Sequence, residues 1–246
     1  MIVEGSIALV TGGASGIGLG IATDLLNKGI KVIIFDINQN KLDVLNKNFI
    51  KYNVDITDYE LVQETINDII KKYKRIDVLV NNAGVIYNEP LINLMNPSNM
   101  KHSYDNFKKN ININLNSVFI MSSIVIEQMV LKRTKGVVIN ISSISANGNA
   151  GQTAYSAAKA GVEAMTKTWA KELGAFGIRN VAISPGFIDT DSTNEALNSQ
   201  TIKHIKRNTP LKRLGEVVNI AQGIVYAIEN DFVNGTVLEI DGGLII

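Results

Sequence analysis

The stretch Thr11-Gly12-Gly13-Ala14-Ser15-Gly16-Ile17-Gly18 decides the fold. It follows a short β-branched run at residues 7–10 and opens a segment of helical period at 17–28. Glycines at such a junction let the backbone turn sharply and let a pyrophosphate approach without Cβ clashes. The helix behind them offers free N–H groups and the positive end of its dipole to phosphate oxygens. A glycine-rich turn that merely packs a helix on a strand would use the same residues, so the loop needs support from elsewhere.

Asp36 supplies it. This residue ends the second expected strand, about 18 positions beyond Gly18, close to the offset at which an acidic side chain meets the ribose hydroxyls of a dinucleotide. A carboxylate accepts a hydrogen bond from a 2′-OH and repels a 2′-phosphate. The next residues, Ile37-Asn38-Gln39-Asn40, bring no cation, and the glycine loop holds no Arg or Lys. The expected cofactor is therefore NAD(H) rather than NADP(H). An aspartate that caps the following helix is the alternative reading.

Outward from this unit the same alternation continues. Strands are expected at 7–10, 31–35, 76–81, 137–141, 180–184 and 237–240, and helices at 17–28, 59–73, 154–173 and 217–228. Strands that are apolar on both faces suit a parallel sheet buried between helix layers. Neighbouring parallel strands cannot be joined by tight turns, so the repeated units imply right-handed crossovers. The expectation is an α/β Rossmann fold: a doubly wound parallel sheet of about seven strands with helices on both faces. No linker, repeat or charge block divides the chain, so one domain is expected over residues 1–246. Two segments resist. At 110–116 Asn alternates with Ile and Leu as in a half-exposed strand, yet Tyr104, Phe107, Ile111, Leu115, Val118 and Phe119 recur at helical steps, and a helix is expected. Residues 87–103, rich in Asn, Pro and Met, read as a long loop.

Composition removes several functions. The chain has no Cys, so disulfides, a thiolate nucleophile and cysteine metal sites are excluded. Only His102 and His204 remain as imidazoles, and no metal site is expected. Lys and Arg total 24 against 23 acidic residues, which gives no electrostatic reason for a nucleic acid or an anionic membrane as partner. The opening residues place Glu4 where a leader would be basic, and their apolar run stops at Thr11. The apolar stretch 119–131 is interrupted by Ser122, Ser123, Glu127 and Gln128 and is shorter than the roughly 20 residues of a membrane span. A soluble cytoplasmic protein is expected.

Tyr155-Ser156-Ala157-Ala158-Lys159 places a phenol and an ammonium one helical turn apart on one face. A tyrosine titrates near 10, and lowering that by about 2–3 for work near neutrality requires roughly 3–4 kcal/mol. A nearby ammonium and an oxidised nicotinamide can provide it. The spacing alone is weak, since Tyr104 and Lys108 repeat it. Context separates the two pairs. Tyr155 comes after the strand at 137–141, which opens into Ser142-Ser143 and a glycine-containing loop, and open α/β sheets bind ligands at the carboxyl ends of their strands.

Taken together the chain resembles the short-chain dehydrogenase/reductase family over essentially its whole length. The matching segments are residues 11–18, Asp55-Ile56-Thr57-Asp58, Asn81-Asn82-Ala83-Gly84, Asn114 in Asn-Leu-Asn-Ser-Val-Phe, Ser142, Tyr155 with Lys159, Pro185-Gly186 with Thr190, and Asp241-Gly242-Gly243. The resemblance implies Tyr155 as general acid/base, with Ser142 bonding the substrate oxygen. Ser142 is preferred to Ser143 because its 13-residue separation from Tyr155 matches similar oxoacyl reductases. It further implies that Lys159 binds the nicotinamide ribose and lowers the Tyr155 pKa, and that Asn114 holds a water on the proton path. Cofactor contacts would come from Gly12, Ser15, Gly16, Ile17, Gly18, Asp36, Asp55, Ile56, Asn82, Ala83 and Gly84. Pro185, Gly186, Ile188 and Thr190 would complete them, Thr190 at the carboxamide.

Substrate contacts are expected from loops 85–103, 144–151 and 187–214, the last as a mobile lid. Gly151-Gln152-Thr153-Ala154-Tyr155 and Pro210-Leu211-Lys212-Arg213-Leu214-Gly215 look like 3-oxoacyl-(acyl-carrier-protein) reductases, which usually prefer NADP(H). Residues 227–235 and the long loop after Gly84 resemble NAD-dependent 3-hydroxyacyl-CoA dehydrogenases. A 3-hydroxyacyl/3-oxoacyl thioester is the leading substrate class, with polyols, secondary alcohols and hydroxysteroids as alternatives. A catalytically idle NAD-binding sensor is the competing class, though it would be expected to lose Tyr155, Lys159 or Ser142. The resemblance also implies a homotetramer built through the helices that carry Asn114 and Tyr155.

Overall fold

The computed structural model describes residues 5–244, the side chains of Ser192 and Ala196 excepted. The reading of the first four residues thus falls outside the described part. Seven strands form one sheet: β1 (Ile7–Thr11), β2 (Lys31–Asp36), β3 (Ile50–Asn53), β4 (Val78–Asn81), β5 (Val137–Ile141), β6 (Arg179–Pro185) and β7 (Val237–Ile240). Their order is β3-β2-β1-β4-β5-β6-β7, and every pair is parallel. The helices are α1 (Gly16–Asn27), α2 (Gln39–Asp43), α3 (Tyr59–Tyr73), α4 (Tyr104–Ile111), α5 (Ser117–Leu131), α6 (Thr153–Leu173), α7 (Asp191–Ala196), α8 (Ser199–Asn208) and α9 (Val217–Glu229).

The two-residue period of the strands divides the core into two layers. Ala8, Val10, Val32, Ile34, Val78, Val80 and Ile139 pack with Ile21, Leu25, Ile220 and Ile224 of α1 and α9. Ile7, Leu9, Ile33, Phe35, Leu79 and Val138 turn the other way, onto Val62, Ile66 and Ile69 of α3 and Met121, Val125 and Met129 of α5. Each such side chain contributes roughly 1.5–3 kcal/mol on burial, which is what holds the layers on the sheet. Sheet order reverses between β1 and β4, so their connections leave in opposite directions and a crevice opens beyond Thr11 and Asn81.

Strand β3 was not among the expected strands. Ile50-Lys51-Tyr52-Asn53 is four residues long and sits half-exposed at the sheet edge, held by pairing from Ile33↔Ile50 to Asp36↔Asn53. Such a strand owes its existence to the neighbour it pairs with and leaves little hydrophobic pattern of its own. The 110–116 segment is helical, but not uniformly. Residues Asn112–Asn116 form a π turn that joins α4 to α5, so the helical run extends from Tyr104 to Leu131. By length and composition this run could cross a membrane. Its inner face, however, is buried on α3 and the sheet through Val118, Met121, Ile124, Val125 and Met129.

Candidate active site

The crevice begins at the glycine loop. Gly12 and Gly16 adopt φ of +63° and +54°, in the left-handed region that disfavours side chains. A Cβ on Gly18 would lie 2.2 Å from the Gly12 carbonyl oxygen and 2.5 Å from Asn82 Nδ2, so only glycine allows the start of α1 to close on the loop. No side chain caps α1: Ser15 stands at its N-cap without bonding the first turn. Those N–H groups stay open to the cleft. Asn82 closes the other wall, donating from Nδ2 to the Thr11 and Gly12 carbonyls at 3.0 and 3.3 Å. The Thr11 hydroxyl accepts from the backbone N–H groups of Asn82 and Ala83 at 3.0 and 3.1 Å.

At the far end of this wall Asp36 accepts from the Ala14 N–H through Oδ2 and from the Asn38 N–H through Oδ1, both at 3.0 Å. Asp55 lies beyond β3, its Oδ1 taken by the Thr57 N–H and hydroxyl, and Ile56 packs on the α3 layer. The uncapped helix, the glycine cradle and the terminal carboxylate together fit a dinucleotide.

Tyr155 and Lys159 lie in the first two turns of α6, both buried at 8% and 3% exposure. Lys159 Nζ donates to the Ile141 carbonyl at 2.7 Å and rests 5.6 Å from the centre of the Tyr155 ring. Burial lowers the Lys159 pKa to about 8. Burial also pushes the Tyr155 phenol up, and a hydrogen bond with Ser143 partly opposes this. The ammonium is engaged at the end of β5 beneath the ring, and removal of the phenol from water is the larger cause of its raised pKa.

The two adjacent serines at the end of β5 face different partners. Asn140 and Ser142 lie on one side of β5, facing α6. Asn140 Nδ2 donates to Thr166 Oγ1 at 2.9 Å, and the Ser142 hydroxyl donates to Glu163 Oε1 at 2.8 Å. Ser142 is 2% exposed. One residue on, the chain has turned over. Ser143 caps a short 3₁₀ turn, its Oγ accepting from the Ser145 N–H at 3.1 Å, and its hydroxyl is the one that meets Tyr155. Separation in sequence points to Ser142, and Ser143 also lies within reach of the Tyr155 phenol.

Asn114 is fully buried in the π turn. Its Oδ1 accepts from the Val85 N–H at 3.0 Å, while Nδ2 donates to the Val85 carbonyl at 2.9 Å and to Asn110 Oδ1 at 2.9 Å. Gly84 lies against both this amide and the lysine: a Cβ there would sit 2.6 Å from Asn114 Oδ1 and 3.7 Å from Lys159 Nζ. The structure thus brings Tyr155, Lys159, Ser143, Asn114 and Gly84 to the carboxyl edge of β4 and β5.

The family model for short chain dehydrogenases matches residues 6–201. The chain belongs to the short-chain dehydrogenase/reductase family. A 3-oxoacyl-[acyl-carrier-protein] reductase of Thermotoga maritima is 38% identical across the full length of both chains. A sorbitol-6-phosphate 2-dehydrogenase of Klebsiella pneumoniae is 36% identical over 97% of this chain and 95% of its own. The crystal structure of a short chain dehydrogenase from Bacillus anthracis superposes with a TM-score of 0.88 at 31% identity, covering 99% and 97% of the two chains. This short-chain dehydrogenase/reductase is an oxidoreductase of CH–OH groups that works with a nicotinamide dinucleotide.

Around the dehydrogenase cleft the three expected loops are anchored differently. The loop after Gly84 folds into an arm, with an antiparallel bridge between Ile92 and Lys101. Its root is tied to the segment just before Tyr155: the Glu89 N–H donates to the Gly151 carbonyl at 2.7 Å, and Gln152 Nε2 donates to Asn88 Oδ1 at 2.8 Å. Hydrogen bonds from the Ser103 N–H and the Asn106 amide hold the Glu89 carboxylate low against the opposing effect of burial. Pro185 ends β6, and the Gly186 N–H bonds the Ile240 carbonyl at 3.0 Å. Ile188 is buried and bridged to Gly215. Thr190 caps α7 by accepting from the Thr193 N–H at 3.2 Å. The expected lid contains α7 and α8, and it rests on a small cluster of Ile144, Ile205, Leu214 and Leu244.

One contact beside the cleft lay outside the sequence reading. Lys41 could have been found by reading one residue beyond Asn40: its Nζ donates to Ser15 Oγ at 3.2 Å, directly beside the glycine loop.

Proposed function

We propose that this enzyme interconverts a secondary alcohol and a ketone with NAD(H), using Tyr155 as the proton donor and acceptor. The observation that carries the reading is the convergence of a buried Tyr155, Ser143 and Lys159 at the carboxyl end of β5. Asp36 at the end of β2 supports the choice of NAD(H), because a carboxylate receives a ribose hydroxyl and opposes a 2′-phosphate. A bound nicotinamide supplies or accepts the hydride.

The chain's own residues manage one proton. The raised Tyr155 pKa keeps the phenol protonated near neutrality, ready to give its proton to the oxygen of a carbonyl under reduction. The Ser143 hydroxyl, on the same phenol, donates to the negative charge that develops there. Reprotonation of Tyr155 passes by Lys159, whose pKa of about 8 suits proton exchange. Asn114 holds the π turn to Val85, and so keeps the floor of the cleft in place.

For the substrate, we favour a 3-hydroxyacyl/3-oxoacyl thioester, supported by full-length similarity to a 3-oxoacyl-[acyl-carrier-protein] reductase. The similarity to a sorbitol-6-phosphate 2-dehydrogenase supports a phosphorylated polyol as the second reading. The enzyme is further proposed to be a cytoplasmic homotetramer; the exposed apolar side chains of Tyr104, Phe119 and Leu131 along α4 and α5 support an assembly face there.

Absorbance at 340 nm tests the reaction, with NADH or NADPH and acetoacetyl-CoA in one direction, and NAD⁺ or NADP⁺ with 3-hydroxybutyryl-CoA, sorbitol 6-phosphate or a secondary alcohol in the other. Turnover of the thioesters with NAD(H), lost by at least about 10²-fold in Tyr155→Phe, is expected. Exclusive turnover of the polyol phosphate would overturn the thioester assignment, and an undiminished Tyr155→Phe enzyme would overturn the catalytic one.

A further inference from the structure

We propose that His102 is a positioning residue for the carbonyl substrate: protonated, it pairs with Glu89 and fixes the arm after Gly84 against the segment that carries Tyr155. The inference rests on the reading of Tyr155 above and extends it to the wall of the cleft. That wall is the first leg of the arm. Asn114 holds it at Val85, bonding the N–H at 3.0 Å and the carbonyl at 2.9 Å. The Gly151 carbonyl holds it again at the Glu89 N–H, at 2.7 Å. The leg therefore runs beside the site, from Gly84 near Lys159 Nζ to Gly151, which precedes Tyr155 by four residues. Between the anchors Val85, Ile86 and Tyr87 expose apolar side chains. The second leg closes on the first at His102, whose N–H donates to the Leu91 carbonyl at 2.9 Å.

The two ring nitrogens of His102 are chemically unequal. Nδ1 lies 2.9 Å from the Glu89 carbonyl oxygen, which can only accept, so Nδ1 carries the proton of the neutral ring. Nε2 then bears a lone pair, buried without a hydrogen-bond partner and 3.7 Å from Glu89 Oε2. A lone pair beside a carboxylate is unfavourable; a proton on Nε2 turns it into a charge-assisted contact. His102 then grips Glu89 by carbonyl and carboxylate together. The side chain is 7% exposed and stands edge-on to the rings of Tyr87 and Phe107, so water cannot replace that partner. The carboxylate is ready to receive the proton. Burial opposes its ionisation, but the Ser103 N–H, the Asn106 amide and the Tyr87 hydroxyl hold Glu89 below the ordinary range. Burial and that carboxylate push the Tyr87 phenol up, so it stays a donor. The ring faces Glu89 and Tyr87 from the arm and Phe107 from α4; Lys101 and the Asp105–Lys108 pair nearby are exposed. Imidazoles change charge between about pH 5 and 8, so acid closes this clamp and alkali releases it.

Hydrogen exchange on the full-length enzyme reads the clamp without turnover. At pH 6 the Glu89 and His102 amides, corrected for intrinsic rates, should exchange about three- to tenfold faster in His102→Gln than in the wild type. At pH 8.5 the two proteins should agree within about twofold. Glu89→Gln should behave as His102→Gln, because it leaves no carboxylate for the proton to meet. Kinetics with NADH and acetoacetyl-CoA read the consequence. The KM of His102→Gln relative to wild type should be about three- to tenfold at pH 6 and near one at pH 8.5, with a kcat ratio that pH does not change. Exchange that fails to separate variant from wild type at pH 6, or separates them equally at both pH values, would overturn the clamp while leaving Tyr155 in its role. Exchange as expected with a pH-independent KM ratio, or with the change in kcat alone, would overturn the positioning of substrate. A wild type that reduces no carbonyl compound would overturn the reading of Tyr155 and this role with it, and the exchange rates would still decide whether His102 and Glu89 pair.

Discussion

Ser142 and Ser143 are consecutive, yet their hydroxyls face different partners: Ser142 donates to Glu163 Oε1 on α6 at 2.8 Å, and Ser143 lies near enough to the Tyr155 phenol to lower its pKa. Both lie just beyond β5, where the chain enters the short 3₁₀ turn, so the adjacent hydroxyls face different neighbours.

Ser143→Ala should therefore lower kcat by about 10²-fold, the scale on which removal of one oxyanion donor acts. Ser142→Ala should leave kcat within a few-fold and cost about 1 kcal/mol of stability through the lost bond to Glu163. Steady-state kinetics and urea unfolding of the two variants separate these effects; the reverse pattern would return the catalytic role to Ser142.

Lys159 predicts a pH-dependent stability. Its native pKa of about 8 lies below the ordinary lysine value of 10.5. Between those limits the unfolded chain holds a proton that the native state has released, so this residue's contribution to stability rises with pH. Below pH 8 the buried ammonium carries its full penalty. Lys159→Met removes it, and the stability of that variant relative to wild type should fall by roughly 2–3 kcal/mol as pH rises from 8 to 10.5. Urea denaturation across this range provides the measurement.

Gly84→Ala would place a methyl group 2.6 Å from Asn114 Oδ1. The amide cannot yield freely, because it is bonded to Val85 and Asn110. The expected loss is about 1–3 kcal/mol of stability, together with a fall in kcat larger than any change in KM. Thermal unfolding and kinetics on one preparation would show both.

Asp36→Asn keeps the shape of the side chain but gives up its charge. The NAD⁺ Kd should rise about tenfold, in keeping with the value of hydrogen bonds to an ionised acceptor, and NADP⁺ should bind more tightly than to the wild type. Calorimetry with both dinucleotides tests the direction of each shift.

How far these features were legible varied with their physical origin. The glycine loop, Asp36 and the Tyr155–Lys159 pair could be read because each depends on residue type at a short, fixed offset. The central strands could be read because burial on both faces leaves unbroken apolar runs. Strand β3 could not, since Ile50–Asn53 is ordered by pairing with β2 at an exposed edge. Counting residues back from Tyr155 could not show that Ser143 also approaches the phenol, because that depends on the turn the chain takes after β5. The raised phenol pKa and the descent of Lys41 onto Ser15 depend on burial and on a turn in space, neither of which a linear string records.

The π turn at Asn112–Asn116 has a wider consequence. One surplus residue lodged in the helix sets the rotational phase between its two arms, so that Asn114 looks inward while the flanking arms keep their own packing. A one-residue deletion between 110 and 117 would regularise the spiral, yet swing everything on one side of it by about 100°. Such a lesion removes no catalytic group and adds no bulk, but it would misalign the cleft floor with the helices beside it. In this stretch the tally of residues is constrained as tightly as their chemistry.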